Sequence, residues 1–551
     1  MIAPGSAPAV CRTRARVRCL TDDFDAAEDE DMEQYPTALL DETTTEQLHA
    51  LERATREERA ELLRARRERS RAVRAGAELE VPASTRAVSA DDSWRAEPHP
   101  ADLTHRQVEL ATPATPEQAK TALSSGADVW VADLEDMLVP SRSRLLAAHR
   151  VIEEVAATRT GDTRPGVPTL MVRPRGLHLV EAYLTVDDAP VSAPVADSFL
   201  FLARCARTLL DNGTAPYLYL PKLETAAEAR WWDRMIGQAE ELLGLPPGSV
   251  RVSVLVETVQ SMYELEEIVH DLRERITGLA AGRWDYVFSH VRTYGHRPEH
   301  LLPDRDSFTM NTKFLRTYTD VIVRIAQRRG VQAIGGPVAL ATGGLFDESL
   351  AMTQAQIARD KAREARQGFD GAWVLHPGLV PVARAPFAER DRRRARGEEP
   401  EPARPSGEID PVALRDVRSV FGSATMTGVR NAMRSSLTYL AGWLAGEGTT
   451  TLAGHIEDFG TVELARMQLW QWLSHGERLA EGPQMSPLLL RRMMEDEEAL
   501  LRRRGVRADL LQHAVRLFTE AVGAEDPPAF LSQKAYEVLV GLEQGTDAQV
   551  A

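Results

Sequence analysis

The chain has 551 residues, of which 43% are hydrophobic and 27% are charged, and its formal net charge is −16. This length exceeds one ordinary core and predicts two or three domains. The acidic balance argues against a nucleic-acid partner, which needs a dominant basic face.

Cysteine content and hydropathy indicate the cellular compartment in which the protein is expected. The chain contains only Cys11, Cys19 and Cys205, with no CxxC pair. This pattern excludes a structural zinc site and favours a reducing environment. The sequence has no run of about 18 apolar residues, so we expect no membrane span. The first residues also lack the apolar segment of a secretory signal, and we therefore expect a cytoplasmic protein.

The N-terminal part has two kinds of composition. Residues 1–35 contain the acidic run DDFDAAEDEDMEQ and few apolar residues, which predicts a disordered leader. Residues 36–106 carry Leu and Ala at spacings of three and four among charged residues. This spacing predicts an N-terminal helical region.

Short apolar runs, separated by helix-like segments, recur through residues 107–385. Buried runs that alternate with helices predict parallel strands, and eight of them fit a TIM barrel. A doubly wound open sheet is the competing fold, but no GxGxxG follows any run. The predicted strands are QVELAT (107–112), DVWVADLED (128–136), TLMVRPRG (169–176), YLYLPKLE (217–224), VSVLVET (252–258), GLAAGRWDYVFS (278–289), VQAIGGPVA (331–339) and GAWVLHPG (371–378).

The C-terminal part follows a change in composition. Residues 386–409 are rich in charge and proline, which predicts a linker. Residues 410–551 return to a helical pattern, and Trp443, Trp470 and Trp472 suit a buried helical face.

Charged residues recur where the predicted strands end. Active sites of TIM barrels lie at the C-terminal ends of the strands, so these side chains are expected to converge. Each of them alone could be a helix cap or a surface ion pair, but their joint placement favours a site. The sixth run continues through the apolar Tyr286–Phe288, which looks like buried strand. The charged residues are Asp133, Glu135, Asp136, Arg173, Arg175, Lys222, Glu224, Glu257 and Asp285.

These residue types indicate a chemistry. Carboxylates crowded in one barrel mouth raise each other's pKa unless a cation neutralises them. Oxygen ligands without histidine or thiolate suit Mg²⁺ better than zinc. Arg173 adds a fixed positive charge that can stabilise an oxyanion. The combination predicts chemistry on a 2-oxo acid through an enolate.

Six longer segments are distinctive, and they are MVRPRGLHL (171–179), VLVET (254–258), GLAAGRWDYVFS (278–289), LPDRDSFTM (302–310), FDGAWVLHPGL (369–379) and GHIEDFGTVELARMQLWQW (454–472). Together they resemble the malate synthase family in its shorter A-type form, in register from about residue 40 onwards. That family condenses acetyl-CoA with glyoxylate and hydrolyses the thioester, releasing malate and CoA with Mg²⁺. The resemblance implies a TIM barrel with an N-terminal helical clasp (36–106) and a C-terminal helical plug (410–551).

The resemblance also implies roles for individual residues. Glu257 and Asp285 match the magnesium ligands, and Arg173 matches the arginine that stabilises the enolate. Asp458 matches the general base, although a helix expected from about Thr461 makes a helix cap the alternative.

Other matches concern water, structure and substrate. Glu135 is expected to order the waters of the metal, with Asp136 behind the ligands. For Arg175 a structural ion pair is slightly preferred, and Glu457 is expected to pack or pair near the domain junction. The expected substrate-binding residues are Gly282, Trp284, Asp133, Pro337, Leu375 and Pro377.

The sequence departs from the usual family motifs at several positions, some of them where the acyl group and pantetheine arm are expected to enter. A related Claisen enzyme that uses another acyl-CoA or 2-oxo acid, or a malyl-CoA lyase-like enzyme, therefore stays an alternative. A non-catalytic acyl-CoA-binding paralogue is the third hypothesis. The long plug with Asp458 favours the synthase, and we expect a monomer or small homo-oligomer. The departures are Ala280, Pro337, Phe369, Leu375, Phe459 and Gly460.

Overall fold

A computed structural model describes residues 35–36, 38–158, 167–340, 347–398 and 409–545. The predicted leader lies outside these residues, with the exception of Tyr35. For Tyr35 the prediction is wrong, because its side chain is buried and its hydroxyl donates a hydrogen bond to Glu181 at 3.3 Å.

The central domain is a closed barrel of eight parallel strands, in the order β1-β10-β9-β8-β7-β6-β3-β2. All eight predicted runs supply a strand, which confirms the TIM barrel. Strands β4 and β5 form an antiparallel hairpin between β3 and β6, and β11 and β12 form another near the plug. The strands are β1 Val108–Pro113, β2 Val129–Asp133, β3 Thr169–Arg173, β4 Val180–Val186, β5 Ala189–Ser192, β6 Tyr217–Leu220, β7 Arg251–Val256, β8 Ile276–Ala281, β9 Gln332–Val338, β10 Gly371–Val374, β11 Thr450–Leu452 and β12 His455–Glu457.

Helices surround the barrel and form both flanking regions. The first begins after Asp41, whose side chain accepts a hydrogen bond from the Thr44 amide in a capping box. The helices are α1 Glu42–Arg74, α2 Ala83–Ala90, α3 Pro116–Ser124, α4 Arg142–Thr158, α5 Ala193–Asp211, α6 Ala226–Leu242, α7 Ser261–Asp271, α8 Arg283–Tyr294, α9 Lys313–Arg329, α10 Asp347–Gln367, α11 Val380–Ala395, α12 Pro411–Arg415, α13 Met426–Leu444, α14 Phe459–Ser474, α15 Pro487–Arg503, α16 Ala508–Gly523 and α17 Leu531–Glu543.

Helix α14 is buried on every side, with all residues from Phe459 to Trp472 buried. Its buried polar side chains have partners within the protein, as in the ion pair of Arg466 with Glu463 at 2.6 Å. It packs against the barrel helix α8 on one side and against α13 and α16 of the plug on the other. The start of α14 is thereby fixed relative to the barrel.

Two boundaries differ from the sequence predictions. The predicted linker 386–409 is wrong over its first part, because α11 continues to Ala395 and buries Phe387 and Arg390. The sixth predicted strand is also too long. Strand β8 ends at Ala281, and the apolar residues Tyr286–Phe288 belong to helix α8.

No helix among the described residues is long and apolar enough to cross a bilayer.

Candidate active site

Charged side chains gather at the C-terminal end of the barrel, where the sequence places them. Asp133 is the last residue of β2, and Arg173 is the last residue of the neighbouring β3. Lys222 follows β6 by two residues, and Glu257 follows β7 directly. The side chains of all four are buried.

Three carboxylates hold the guanidinium of Arg173. Its Nε donates to Asp133 at 2.9 Å, its Nη2 donates to Asp136 at 3.1 Å, and Glu135 lies 3.7 Å away. Burial alone would lower the pKa of Arg173, but these carboxylates raise it well above its ordinary value. The guanidinium carbon also lies 5.9 Å from the ring centre of Trp373. Arg173 is therefore a permanently charged and immobilised donor.

A second group of carboxylates lies beside Arg173. One oxygen from each of Asp136, Glu257 and Asp285 can be chosen so that all three lie within 4.8 Å of one another. The Lys222 ammonium lies among them, 2.7 Å from Asp136 and 3.3 Å from Asp285. The backbone N–H of Lys222 donates to Glu257 Oε1 at 2.7 Å. We call Asp136, Glu257 and Asp285 the acidic cluster.

The acidic cluster fits a divalent cation. Glu257 Oε2 is buried and accepts no hydrogen bond from the residues that the structure describes. Burial raises the pKa of Glu257 well above its usual range, and the repulsion of Asp285 adds to this effect while Lys222 opposes it. A bound cation reverses such a shift because it favours the charged carboxylates. Carboxylate oxygens without nitrogen or sulfur ligands suit a hard ion such as Mg²⁺.

Asp458 joins this site from the plug. It is the N-cap of α14 and accepts a hydrogen bond from the Thr461 amide at 3.2 Å. Burial raises its pKa to about 7, helped by Asp136 and Asp285 and opposed by Arg173. A carboxyl group with a pKa near neutrality can accept and release a proton at physiological pH. Helix capping and a base role are therefore compatible in the same residue.

Glu135 is a further carboxyl group of the site with a strongly raised pKa. Burial raises its pKa to about 8, the Lys222 ammonium at 3.2 Å lowers it, and Asp136 raises it further. Neither carboxyl oxygen has a hydrogen-bond partner among the described residues. Glu135 can thus hold a proton or a water molecule beside Arg173.

Comparison with known proteins identifies the family. The family model "Malate synthase, TIM barrel domain" matches residues 169–401, and "Malate synthase, C-terminal" matches residues 423–539. The malate synthase of Streptomyces clavuligerus is 37% identical over 525 residues, covering 91% of this chain and 96% of that protein. The chain belongs to the malate synthase family.

Two further malate synthases are similar over most of their length. That of Myxococcus xanthus (strain DK1622) is 34% identical, covering 88% of this chain and 91% of its own. That of Oryza sativa subsp. japonica is 36% identical, covering 86% of this chain and 88% of its own. The predicted family and the predicted enzyme class, a transferase that forms malate from acetyl-CoA and glyoxylate, are confirmed.

The structure gives two of the strand-end residues a closer part in the malate synthase site than the sequence predicts. Asp136 is expected behind the metal ligands, yet its carboxylate lies in the acidic cluster with Glu257 and Asp285. Lys222 is among the strand-end residues expected to converge, but the sequence assigns it no role, whereas its ammonium contacts two members of that cluster. The signal for Lys222 is its position near the end of the fourth predicted strand.

Asp285 comes to the cluster from a helix, whereas the sequence predicts a strand at this position. It lies in the first turn of α8 and not near the end of a strand. The amides of residues 283–285 precede the first intrahelical hydrogen bond, which Tyr286 N–H donates to the Gly282 carbonyl at 3.0 Å. Such amides at a helix N-terminus are suited to bind an anion.

The expected substrate-binding residues near α8 have different contacts. The N–H of Gly282 donates to the Val256 carbonyl at 3.1 Å, so this amide is not available to a ligand. A Cβ atom at Gly282 would lie 2.6 Å from that of Glu257, which explains the glycine. The guanidinium carbon of Arg283 lies over the ring of Trp284, 4.0 Å from the ring centre. Asp133 is engaged by Arg173, as described above.

The remaining expected substrate-binding residues lie together on one rim. Pro337 is half-buried near the end of β9, and Pro377 is half-buried after β10. Leu375 is buried in the barrel interior, and its N–H donates to the Val338 carbonyl at 3.2 Å. These residues lie at the mouth of the barrel, as expected.

The departures from the malate synthase motifs fall in different places. Phe369 precedes β10 and is fully buried at the opposite end of the barrel, so it is not at a substrate entrance. Ala280 packs inside the barrel. Phe459 packs edge-on against Tyr439 and Trp443. A Cβ atom at Gly460 would lie 2.9 Å from Asp285 Oδ2, so the plug directly contacts the acidic cluster here.

Two charged residues of the distinctive segments make structural ion pairs. Arg175 binds Asp197 and Glu181, each at 2.6 Å, and is fully buried. Glu457 accepts a hydrogen bond from Arg305 at 2.9 Å. Both agree with the structural interpretations given above.

A cavity of about 1160 Å³ lies outside the barrel, between α2, α7, α9 and α12. It is lined by charged residues of both signs, among them Glu266, Arg324 and Arg415. None of the strand-end carboxylates faces it. The chemistry therefore belongs to the barrel mouth.

Proposed function

We propose that the barrel mouth condenses the methyl carbon of acetyl-CoA with the aldehyde carbon of glyoxylate and hydrolyses the resulting thioester to malate and CoA. The observation that supports this most is the convergence of Asp458 from the plug with Arg173 and the acidic cluster from the barrel. A thioester methyl group is a weak acid, so its base and the stabiliser of its enolate must act together.

In this proposal Asp458 removes the methyl proton and Arg173 stabilises the enolate oxygen. Burial raises the pKa of Asp458, which makes it a stronger base than an ordinary carboxylate. Asp133 and Asp136 fix the guanidinium, so no rearrangement is needed when negative charge develops. The enolate carbon then forms the new bond to the carbonyl carbon of glyoxylate, whose C=O π bond opens to an alkoxide that takes up a proton to become the hydroxyl group of malate.

Glyoxylate is proposed to bind between the acidic cluster and the first turn of α8. Its carboxylate accepts hydrogen bonds from the amides of residues 283–285. Asp136, Glu257 and Asp285 would hold Mg²⁺, which when bound balances their charge and polarises the carbonyl of glyoxylate. Glu135 is proposed to position the water that cleaves the thioester, since neither of its carboxyl oxygens accepts a hydrogen bond among the described residues.

The test is a steady-state assay of acyl-CoA esters against glyoxylate with Mg²⁺, recording the free CoA thiol. Acetyl-CoA is expected to be used best, with malate and CoA released in equal amounts. Accumulation of malyl-CoA would contradict the synthase reaction and support a lyase-like enzyme. No turnover of any acyl-CoA, with binding preserved, would support the non-catalytic paralogue.

A second candidate is the same chemistry with another acyl-CoA or 2-oxo acid. The observation that favours it is the placement of Phe459 and Gly460 beside Asp458 and Asp285. Propionyl-CoA and pyruvate are therefore included in the same assay. A higher kcat/KM for either than for the acetyl-CoA and glyoxylate pair would replace the first proposal by the second.

We also propose a cytoplasmic location and a monomer or small homo-oligomer. The low cysteine content supports a reducing compartment, and the Cys205 thiol is buried with its pKa raised by burial. Cell fractionation and size-exclusion chromatography with light scattering test the two statements.

A further inference from the structure

Lys222 has an unusual backbone conformation. Its φ angle is +50°, a left-handed value that residues with a side chain rarely adopt. The residue is buried, with 3% of its surface exposed. Such a conformation persists only where the surrounding structure enforces it, and this happens most often at functional sites.

Lys222 supports the acidic cluster with two different groups. Its backbone N–H donates to Glu257 Oε1 at 2.7 Å. Its ammonium donates to Asp136 at 2.7 Å and lies 3.3 Å from Asp285. One residue therefore contacts every carboxylate of the cluster, and its backbone orientation determines where both groups point.

The clasp helix α1 holds the third polar group of Lys222. Arg66 donates from Nη2 to the Lys222 carbonyl at 2.8 Å and makes two hydrogen bonds of 2.7 Å to Glu228. The Arg66 side chain is only 8% exposed. A planar guanidinium can bridge a carboxylate and a carbonyl, which a lysine ammonium cannot do in the same geometry.

We infer that Arg66 is a positioning residue of the metal site that acts through Lys222. By fixing the Lys222 carbonyl, it orients the peptide whose N–H binds Glu257 and the side chain that contacts Asp136 and Asp285. Through Arg66, the N-terminal clasp thereby contributes to metal binding in the active site. This inference rests on the proposed role of the acidic cluster as the metal site.

The same helix offers a matched control. Arg69 lies one turn further along α1 and donates to Glu224 Oε2 at 2.7 Å. It thus forms an ion pair between the clasp and the loop after β6, which also contains Lys222. Arg69 has no hydrogen bond to Lys222 among the described contacts. Substituting Arg69 perturbs clasp docking without releasing the Lys222 carbonyl.

The experiment measures Mn²⁺ binding to the full-length protein by electron paramagnetic resonance, without substrates. Arg66→Lys keeps the positive charge beside Glu228 but loses the bridge. Partners that orient metal ligands typically contribute about 10–100-fold in metal affinity. We expect Arg66→Lys to weaken Mn²⁺ binding by about tenfold or more, and Arg69→Lys to change it less than twofold. Melting curves of both variants report any general loss of structure.

Further variants separate positioning from folding. If Arg66→Lys melts far below wild type, Arg66→Gln and Arg66→Met are measured at a temperature where they are folded, with the same loss of Mn²⁺ affinity expected. The double variant Arg66→Lys/Lys222→Gln should lose less Mn²⁺ affinity than the product of the two single losses, because Arg66 is proposed to act through Lys222.

The outcomes are distinguishable. Mn²⁺ affinity of folded Arg66→Lys within twofold of wild type would overturn the inference. Equal losses in Arg66→Lys and Arg69→Lys, or strictly multiplicative effects with Lys222→Gln, would also overturn it. Wild-type protein that binds no Mn²⁺ would instead refute the metal site itself, and with it the proposed function.

Discussion

Replacing Asp458 by asparagine separates the two roles that the structure gives to this residue. Asparagine caps a helix about as well as aspartate, and its side-chain oxygen can accept the Thr461 amide hydrogen bond. It cannot accept a proton. We therefore expect Asp458→Asn to keep the melting temperature of the plug and the affinity for acetyl-CoA while losing turnover.

The expected loss follows from the geometry. Removing a positioned acid–base group typically lowers the rate by about 10²–10⁴-fold, or about 3–5 kcal/mol in activation free energy. The pKa of Asp458 is raised to about 7 without a cation in the cluster. A bound Mg²⁺ lowers it, so kcat in wild type should rise with pH and level off at or below pH 7.

The assay combines turnover with proton exchange. Release of the CoA thiol gives kcat, and exchange of the acetyl-CoA methyl protons with deuterated water, with a non-reacting glyoxylate analogue bound, reports proton removal. Asp458→Ser is the control, because serine is a good cap without a base. Turnover of Asp458→Asn within a few-fold of wild type would refute the base role and leave Asp458 as a helix cap.

Three further predictions concern metal, packing and pH. Asp285→Asn should weaken Mg²⁺ and glyoxylate binding together in calorimetric titrations, and unchanged glyoxylate affinity with Mg²⁺ present would contradict the assignment. Phe459→Ala should cost about 3–5 kcal/mol in urea unfolding, because the buried ring contacts Tyr439 and Trp443, and a loss below about 1 kcal/mol would contradict this packing. Burial lowers the pKa of His149 to about 4. Between pH 6.5 and pH 4 the histidine therefore binds a proton in the unfolded chain but not in the folded one. The free energy of unfolding should keep its full value above pH 6.5 and fall by up to about 3 kcal/mol as the pH drops towards 4. In urea unfolding at several pH values, His149→Gln should reduce this dependence on pH.

The barrel could be predicted from sequence because its strands are buried on both faces. Five of the eight runs begin with mainly apolar residues and end in or near charged residues, so position along the chain also indicated the mouth of the barrel. That argument placed Arg173 and Glu257 correctly without a view of the fold. It needed only the rule that parallel strands end at the same edge.

The same argument failed where helix and strand look alike. Tyr286–Phe288 is a short apolar segment, and periodicity alone cannot separate a buried strand from a buried helix in so few residues. The arginine-rich end of α11 has few apolar residues and therefore predicts a linker, although arginine is a good helix former. For Lys222 the sequence indicates a place at the barrel mouth but not its contacts, because its partners come from three other segments of the chain and its φ angle has no sequence signal.

The position of Asp458 has a consequence for the order of events in the cell. The chain is synthesised from its N-terminus, so the clasp, Arg173 and the acidic cluster leave the ribosome before the plug, and domains generally fold in that order. Under the proposed mechanism a nascent barrel can bind its substrates but cannot remove the methyl proton. Catalysis then begins only when α14 has docked against α8, which makes turnover a direct reporter of the docking of this plug helix.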